Sequence, residues 1–166
     1  MKTAEIFCGA GGLAIGFSKA DFTHEFILDF NNDACNTLRK NRELGYHAFQ
    51  NCSIYEEDAK EFDFKKIKSN IDVISGGPPC QPFSIGGKHK GSTDERDMFP
   101  VAVKAITELK PKCFVFENVF GILRESFSHY FNYILLRLTY PEFKCKNSES
   151  WFNHLKSRII QKRFVY

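Results

Sequence analysis

Cys80 stands apart from the other cysteines because of the run that carries it, Gly76-Gly77-Pro78-Pro79-Cys80-Gln81-Pro82-Phe83-Ser84. Pro79 and Pro82 each fix their own φ and restrict the residue before them, so the thiol rides on a stiff loop. A cysteine that only filled a core, as a small hydrophobe, would need no such scaffold. Upstream, Ile71 to Ser75 fills like a buried strand. A strand stopped by two glycines and two prolines delivers its next residue at the carboxyl edge of a sheet, where open α/β sheets do their chemistry.

A carboxylate is expected at the same edge. Phe114-Val115-Phe116-Glu117-Asn118-Val119 ends an apolar strand in an acid and an amide. Burying Glu117 without a partner would cost several kcal/mol, so a Phe-flanked glutamate is either at the surface or there for a purpose. The third candidate is Phe7-Cys8-Gly9-Ala10-Gly11-Gly12, which joins a first strand to a first helix. Glycines there let the backbone turn tightly and approach a ligand beside the helix N-terminus. A second strand then ends in Asp29, about 20 residues on, where dinucleotide folds bind ribose hydroxyls, and Phe30 offers a ring to stack on adenine. Together these residues point to an adenosine-containing cofactor. The turn differs from G-x-G-x-x-G because Leu13 and Ile15 crowd the spacing. A nicotinamide dehydrogenase stays open on fold alone, but the Pro-Pro-Cys loop has no obvious role in hydride transfer.

The elements that must position these groups alternate strand with helix. Strands are expected at Thr3 to Phe7, His24 to Leu28, Tyr46 to Phe49, Ile71 to Ser75 and Cys113 to Phe116, the last an apolar run fit for a buried parallel strand. Helices are expected at Leu13 to Ala20, from Asn31 or Asn32 as cap to Gly45, at Glu56 to Ile67, Asp97 to Leu109, and Phe127 to Leu138. This order predicts right-handed βαβ units and a parallel sheet with helices on both faces. Beyond Phe143 the periodicity fades, and Lys144 to Ser150 reads as loop. The C-terminus is locally basic, with Lys156, Arg158, Lys162 and Arg163 and no acid after Glu149.

The 166 residues suit one domain, and 18 phenylalanines supply much of its core. A net charge of +3 is too small to prove a nucleic-acid partner. The six cysteines form no C-x-x-C pair, which argues against a zinc site and against a disulfide framework. With Glu5 interrupting the N-terminus, no signal peptide is expected, and no stretch approaches a membrane span. The chain reads as cytoplasmic.

In this order, Phe7-x-Gly9-x-Gly11-Gly12, Pro78-Pro79-Cys80-Gln81 and Glu117-Asn118-Val119 resemble the first, fourth and sixth signature blocks of the cytosine-5 DNA methyltransferases. The resemblance covers roughly residues 3 to 125. It implies a Rossmann-like methyltransferase fold, S-adenosylmethionine as cofactor, and carbon 5 of cytosine in duplex DNA as acceptor, with the base flipped out. It makes Cys80 the nucleophile that adds to C6, Glu117 the group that holds or protonates N3, and Asn118 a brace for the neighbouring loop. For the cofactor it implies Phe7, Gly9, Gly11, Gly12 and Leu13 around the methionine part, Asp29 on the ribose and Phe30 on adenine. It sets Ser53 and Ile54 at the adenine edge and Pro79 between cofactor and cytosine. The segment Ile85 to Arg96 resembles the family's active-site loop, where Lys88, His89, Lys90 and Arg96 would meet phosphate.

The chain departs from the family pattern in several places, among them Asp29 where the family usually has glutamate and the absence of an Asp-Tyr-Gly-x-Pro approach to the Gln161 block. Ser53 replaces the usual aspartate. Gln161-Lys162-Arg163 resembles the start of a Gln-x-Arg-x-Arg block whose arginines steady the flipped cytosine, but Val165 holds the second arginine position. The target-recognition region and the final block that completes the cofactor pocket have no counterpart. The expectation is therefore a partial cofactor-binding and catalytic domain at residues 1–143, followed at 144–166 by a basic segment resembling a degenerate start of the next block. The chain is then the catalytic part of a restriction–modification methyltransferase, with a second chain supplying the missing blocks. The alternatives are a truncated remnant, a cofactor- or DNA-binding subunit, and a transfer-RNA methyltransferase.

Overall fold

The computed structural model describes residues 1–79, 97–143 and 150–162, with side chains as far as residue 157. Five strands form one parallel sheet: β1 (Lys2–Ile6), β2 (Thr23–Asp29), β3 (Ser53–Glu56), β4 (Val73–Gly76) and β5 (Cys113–Phe116). Their spatial order is β3-β2-β1-β4-β5. The chain builds outward from β1 to β3, then returns to β1 and builds out the other way.

Strand alternation sorts the core into two layers, because successive side chains of a strand point to opposite faces. Ala4, Ile6, Phe26, Leu28 and Ile74 enter the larger cluster, under α3 (Phe99–Leu109) and α4 (Ser128–Thr139). Ile27 points the other way, to Ala14 of α1 (Gly12–Lys19), Leu38 of α2 (Asn32–Glu43), Phe49 and Cys52. Helices thus cover both faces, as the alternation of elements required. Burial of each such large side chain contributes about 1.5–3 kcal/mol. Asn31 caps α2, its side-chain oxygen accepting the Ala34 N–H at 2.9 Å. Among the described residues no helix is long and apolar enough to cross a membrane.

Four expectations need correction. Tyr46 to Phe49 is no strand: His47–Phe49 is a 3₁₀ turn that drives Phe49 fully into the smaller core, and the third strand follows it at Ser53–Glu56. Glu56 to Ile67 is no helix. There Asp58 accepts the Lys60 N–H and Asp63 the Lys65 N–H, local bonds that compete with the helical ladder, and only Phe64–Lys66 turns as 3₁₀. Among the described residues β5 is the sheet's last strand rather than a buried one, with Cys113 exposed and Val115 47% exposed. Finally, a fifth helix, α5 (Trp151–Lys162), lies where only a basic segment was expected. Leu155 joins the larger core, and the Trp151 ring centroid lies 5.2 Å from that of Tyr130 on α4. The spacing of Trp151 and Leu155, four residues apart, was the available signal.

Candidate active site

The strand order reverses between β1 and β4, and the crevice outside their carboxyl ends is where open α/β sheets hold ligands. Four loops meet this edge. Phe7 to Gly11 follow β1, Phe30 follows β2, Gly77 to Pro79 follow β4, and Glu117 with Asn118 follows β5. Cys80, the loop Ile85 to Arg96 and Arg163 lie outside the described residues.

The turn after β1 is held in a demanding conformation. Phe7 takes φ 56 and Gly11 φ 84, both left-handed. That costs a non-glycine residue about 1–2 kcal/mol, which packing of the Phe7 ring against the larger core offsets. At Gly11 a side chain has no room: a Cβ there would stand 2.7 Å from Leu38 Cδ2 and 2.9 Å from the Phe49 ring. Over Gly9 and Gly12, by contrast, a Cβ would meet nothing within 4 Å. The glycines therefore divide the work. Gly11 lets the turn seat on the core, while Gly9 and Gly12 leave open space beside the N-terminus of α1, with Leu13 half-buried behind them.

Asp29 is the tie between the first two strand ends. Its Oδ2 accepts the Gly9 N–H at 2.7 Å and its Oδ1 accepts the Asn31 N–H at 2.9 Å. Phe30 projects beside it, 66% exposed. Ser53 and Ile54 are not brought to this edge. They pair with Phe26 and Ile27 at the start of β3, and Glu56 is the β3 residue level with Asp29.

On the other side of the crevice, β4 and β1 approach too closely for any side chain at Gly76, where a Cβ would stand 2.1 Å from the Ile6 carbonyl oxygen. The Glu117 N–H donates to the Gly76 carbonyl at 2.9 Å. The Glu117 carboxylate is exposed and lies alongside Gly77, its Oε2 3.5 Å from where a Cβ on that residue would be. Asn118 Nδ2 donates to the Pro78 carbonyl at 2.9 Å, while its Oδ1 accepts the Val119 N–H at 2.9 Å. Pro79 is half-buried at the end of this loop, one residue before Cys80. The structure thus brings Glu117, Asn118 and the Pro-Pro stem together.

One group at the site escaped sequence reasoning. Glu5, one residue before the end of β1, is fully buried, and the Ser75 hydroxyl donates to its Oε2 at 3.4 Å. Burial pushes its carboxyl up to about 8, and the Ser75 bond only partly opposes this. The signal was an acid inside an otherwise apolar strand. The buried cysteines near the site are set apart from catalysis by the same physics. Burial, and then the charges of Glu5 and Asp29, hold the Cys8 thiol far above its ordinary range, and burial raises Cys52 to about 11. Neither is a ready nucleophile.

Comparison with known proteins gives a consistent result. The family model described as C-5 cytosine-specific DNA methylase matches residues 1–151. Over 130 residues the chain is 40% identical to the type II methyltransferase M.NgoMIV of Neisseria gonorrhoeae, covering 78% of this chain and 39% of that relative. It is 37% identical over 133 residues to the type II methyltransferase M.AquIA of a Picosynechococcus species, covering 75% and 51% respectively. The chain thus spans about two fifths of the first relative's length and about half of the second's, in the N-terminal part of the relatives. Among solved structures, a prophage-encoded DNA modification methyltransferase of E. coli aligns with a TM-score of 0.64 at 28% identity, covering 84% of this chain and 38% of that one. A Spodoptera frugiperda DNMT2 variant aligns with a TM-score of 0.57 at 25% identity, covering 82% and 41%.

Proposed function

The chain belongs to the C-5 cytosine-specific DNA methylase family, and on that premise we propose that it is the catalytic portion of an enzyme that methylates carbon 5 of cytosine in duplex DNA, within a restriction–modification system. The observation that carries this reading is the clasp between two strand-end loops. Asn118 bonds Pro78, and Glu117 lies against Gly77, so a carboxylate is held beside the stem that leads directly into Cys80.

In this reading the Cys80 thiolate adds to C6 of a flipped cytosine, which makes C5 nucleophilic. Glu117 stabilises N3 as charge develops on the ring, donating a proton or a hydrogen bond. Loss of the C5 proton and expulsion of the Cys80 sulfur then restore the aromatic base. Asn118 keeps the loop in register. Arg163 is assigned, from the resemblance alone, to the flipped base and its phosphates.

The cofactor of this reading is S-adenosylmethionine, which supplies an electrophilic methyl group when bound. The residues present fit it. The open space over Gly9 and Gly12 admits a ligand to the backbone, Asp29 keeps lone pairs beyond its two N–H bonds for a ribose hydroxyl, and Phe30 offers an exposed ring for adenine. The resemblance assigns Phe7, Leu13 and Pro79 to the same cofactor, and Gly11 serves the site by seating the turn. Ser53 and Ile54, which the resemblance sets at the adenine edge, pair with Phe26 and Ile27, three and two residues short of Glu56 at the strand end.

Residues 1–143 hold the proposed site apart from Arg163, and the segment 144–166 resembles a degenerate start of the next family block. The match covers 39% of M.NgoMIV, and in this reading the blocks it does not reach complete the enzyme, on this polypeptide or on a second chain. A cytoplasmic location, with access to cellular DNA, goes with it.

The test is transfer of labelled methyl from S-adenosylmethionine to mixed-sequence duplex DNA. It is run with the chain alone, with the C-terminal remainder of M.NgoMIV added, and with Cys80→Ala. Label in C5-methylcytosine that vanishes in Cys80→Ala supports the reading. No label from a folded sample in any mixture overturns it, and label in transfer RNA alone replaces the substrate.

A further inference from the structure

We propose that Phe120 is a DNA-contacting residue, whose ring stacks on a base beside the cytosine taken into the site. The proposal rests on the reading above that the substrate is duplex DNA. It names a contact that neither the cofactor nor the methyl-transfer chemistry requires.

Phe120 stands three residues after Glu117, on a turn that the site itself holds in place. Asn118 fastens the start of that turn, since its Nδ2 donates to the Pro78 carbonyl and its Oδ1 accepts the Val119 N–H, both at 2.9 Å. The Val119 carbonyl then accepts the Ile122 N–H at 3.2 Å, and the Gly121 carbonyl accepts the Arg124 N–H at 3.3 Å. These bonds wind Phe120–Leu123 into a 3₁₀ turn. Side chains three apart eclipse in such a turn, so Phe120 and Leu123 share one side and Ile122 takes another. Ile122, 5% exposed, plugs into the larger core. Phe120 is left 84% exposed, more than any other large apolar side chain among the described residues.

A phenyl ring held in water forgoes the gain that burial gives, and on a turn pinned by Asn118 and Ile122 it has no way to fold back. Phe30 is the other well-exposed ring at the carboxyl edge of the sheet, and the proposed cofactor uses it. Phe120 has no such use in the reaction. Its neighbours select the partner. Arg124, exposed and four residues on, gives the same short run a cation. A ring for a base face and a cation for the backbone is the pairing that nucleic-acid platforms use. Glu125 follows Arg124, so the local charge is balanced and the ring carries the contact. The substrate supplies what the ring needs. Taking a cytosine out of the duplex ends its stacking on both neighbours and bares their faces beside the pocket that receives it.

The probe is a mixed-sequence duplex with C·A mismatches, whose cytosines leave the stack at low cost, and with iodouracil beside each of them. Irradiation should crosslink this DNA to Phe120, as located by peptide mass spectrometry. Phe120→Ala and Phe120→Leu should each weaken binding by about tenfold, read by fluorescence anisotropy, and Phe120→Tyr should restore it to within about twofold. The leucine variant keeps an apolar side chain and loses only the ring, so it separates stacking from apolar contact. The salt dependence of binding should not change in these variants, because no phosphate contact is lost. Phe120 is so exposed that none of the three should shift the thermal midpoint. No binding by the folded chain, a crosslink only elsewhere, or a leucine variant that binds like the parent overturns the proposal. Self-association that Phe120→Ala abolishes while DNA binding survives assigns the ring to a second copy and also overturns it. Ring-dependent DNA binding without methyl transfer leaves the contact standing and defeats the proposed function. Methyl transfer and DNA binding indifferent to Phe120→Ala do the reverse.

Discussion

The Asp29 carboxylate accepts the Gly9 N–H across 2.7 Å and so ties the end of β2 to the turn after β1. A charge-assisted bond of this kind contributes about 1.5–3 kcal/mol. Its second oxygen holds the Asn31 N–H at 2.9 Å, which steadies the cap of α2 as well. Asp29→Ala should therefore lower the free energy of unfolding by about 1–3 kcal/mol and also weaken S-adenosylmethionine binding. Denaturant titration measures the first effect and calorimetry the second. Normal affinity in Asp29→Ala would remove the residue from the cofactor site.

Asn118 makes the opposite split between stability and function. Its bond to the Pro78 carbonyl joins two loops at the surface of the sheet, and its loss should cost only about 0.5–1.5 kcal/mol of stability. Misplacement of a catalytic loop by even about 1 Å can cost around a hundredfold in rate. Asn118→Ala should thus stay folded at 25 °C while single-turnover methyl transfer falls by about a hundredfold, and S-adenosylmethionine binding should change little.

Two glycines of one turn should respond differently to alanine. At Gly11 a Cβ would press on Leu38 and Phe49, and φ 84 would be strained besides, so Gly11→Ala should destabilise by about 2–4 kcal/mol. At Gly12 a Cβ meets nothing within 4 Å, and Gly12→Ala should keep its thermal midpoint within a few degrees. If the space over Gly12 belongs to the cofactor, the same change should reduce S-adenosylmethionine affinity.

Glu5 makes the fold sensitive to pH. Its carboxyl titrates near 4.5 when unfolded and at about 8 when buried, so between those values the unfolded chain has released a proton that the native one keeps. Stability should then fall as pH rises through that window, by about 1 kcal/mol per pH unit, and level off above it. Glu5→Gln should flatten the slope and be the more stable protein at pH 8. Urea midpoints at pH 5 and pH 8 decide the matter, and parallel slopes for the two proteins would refute it.

Much of the site was legible in the sequence because it depends on local grammar. Two prolines after two glycines end a strand whatever surrounds them, and an apolar run ending in Glu117-Asn118 brings both residues to the same edge as the Pro-Pro loop. The errors came where local patterns compete. Tyr46 to Phe49 has strand-forming residues, but Phe49 is worth more buried under α1 and α2 than paired in a sheet. Glu56 to Ile67 has helical composition, but Asp58 and Asp63 turn the backbone with their own carboxylates.

By itself the sequence determined the alternation of strand and helix, the strand-end positions of Asp29, Pro79 and Glu117, and the family, because each follows from residues close in the chain. Only the tertiary structure decided the order β3-β2-β1-β4-β5, which creates the crevice between β1 and β4 and, among the described residues, leaves β5 at the edge. It likewise decided that Ser53 stands short of that crevice, that Asp29 closes on Gly9, and that Glu5 loses its water. Register, burial and edge position depend on what lies beside a residue in space, and the neighbours that matter here are separated from it by tens of positions along the chain.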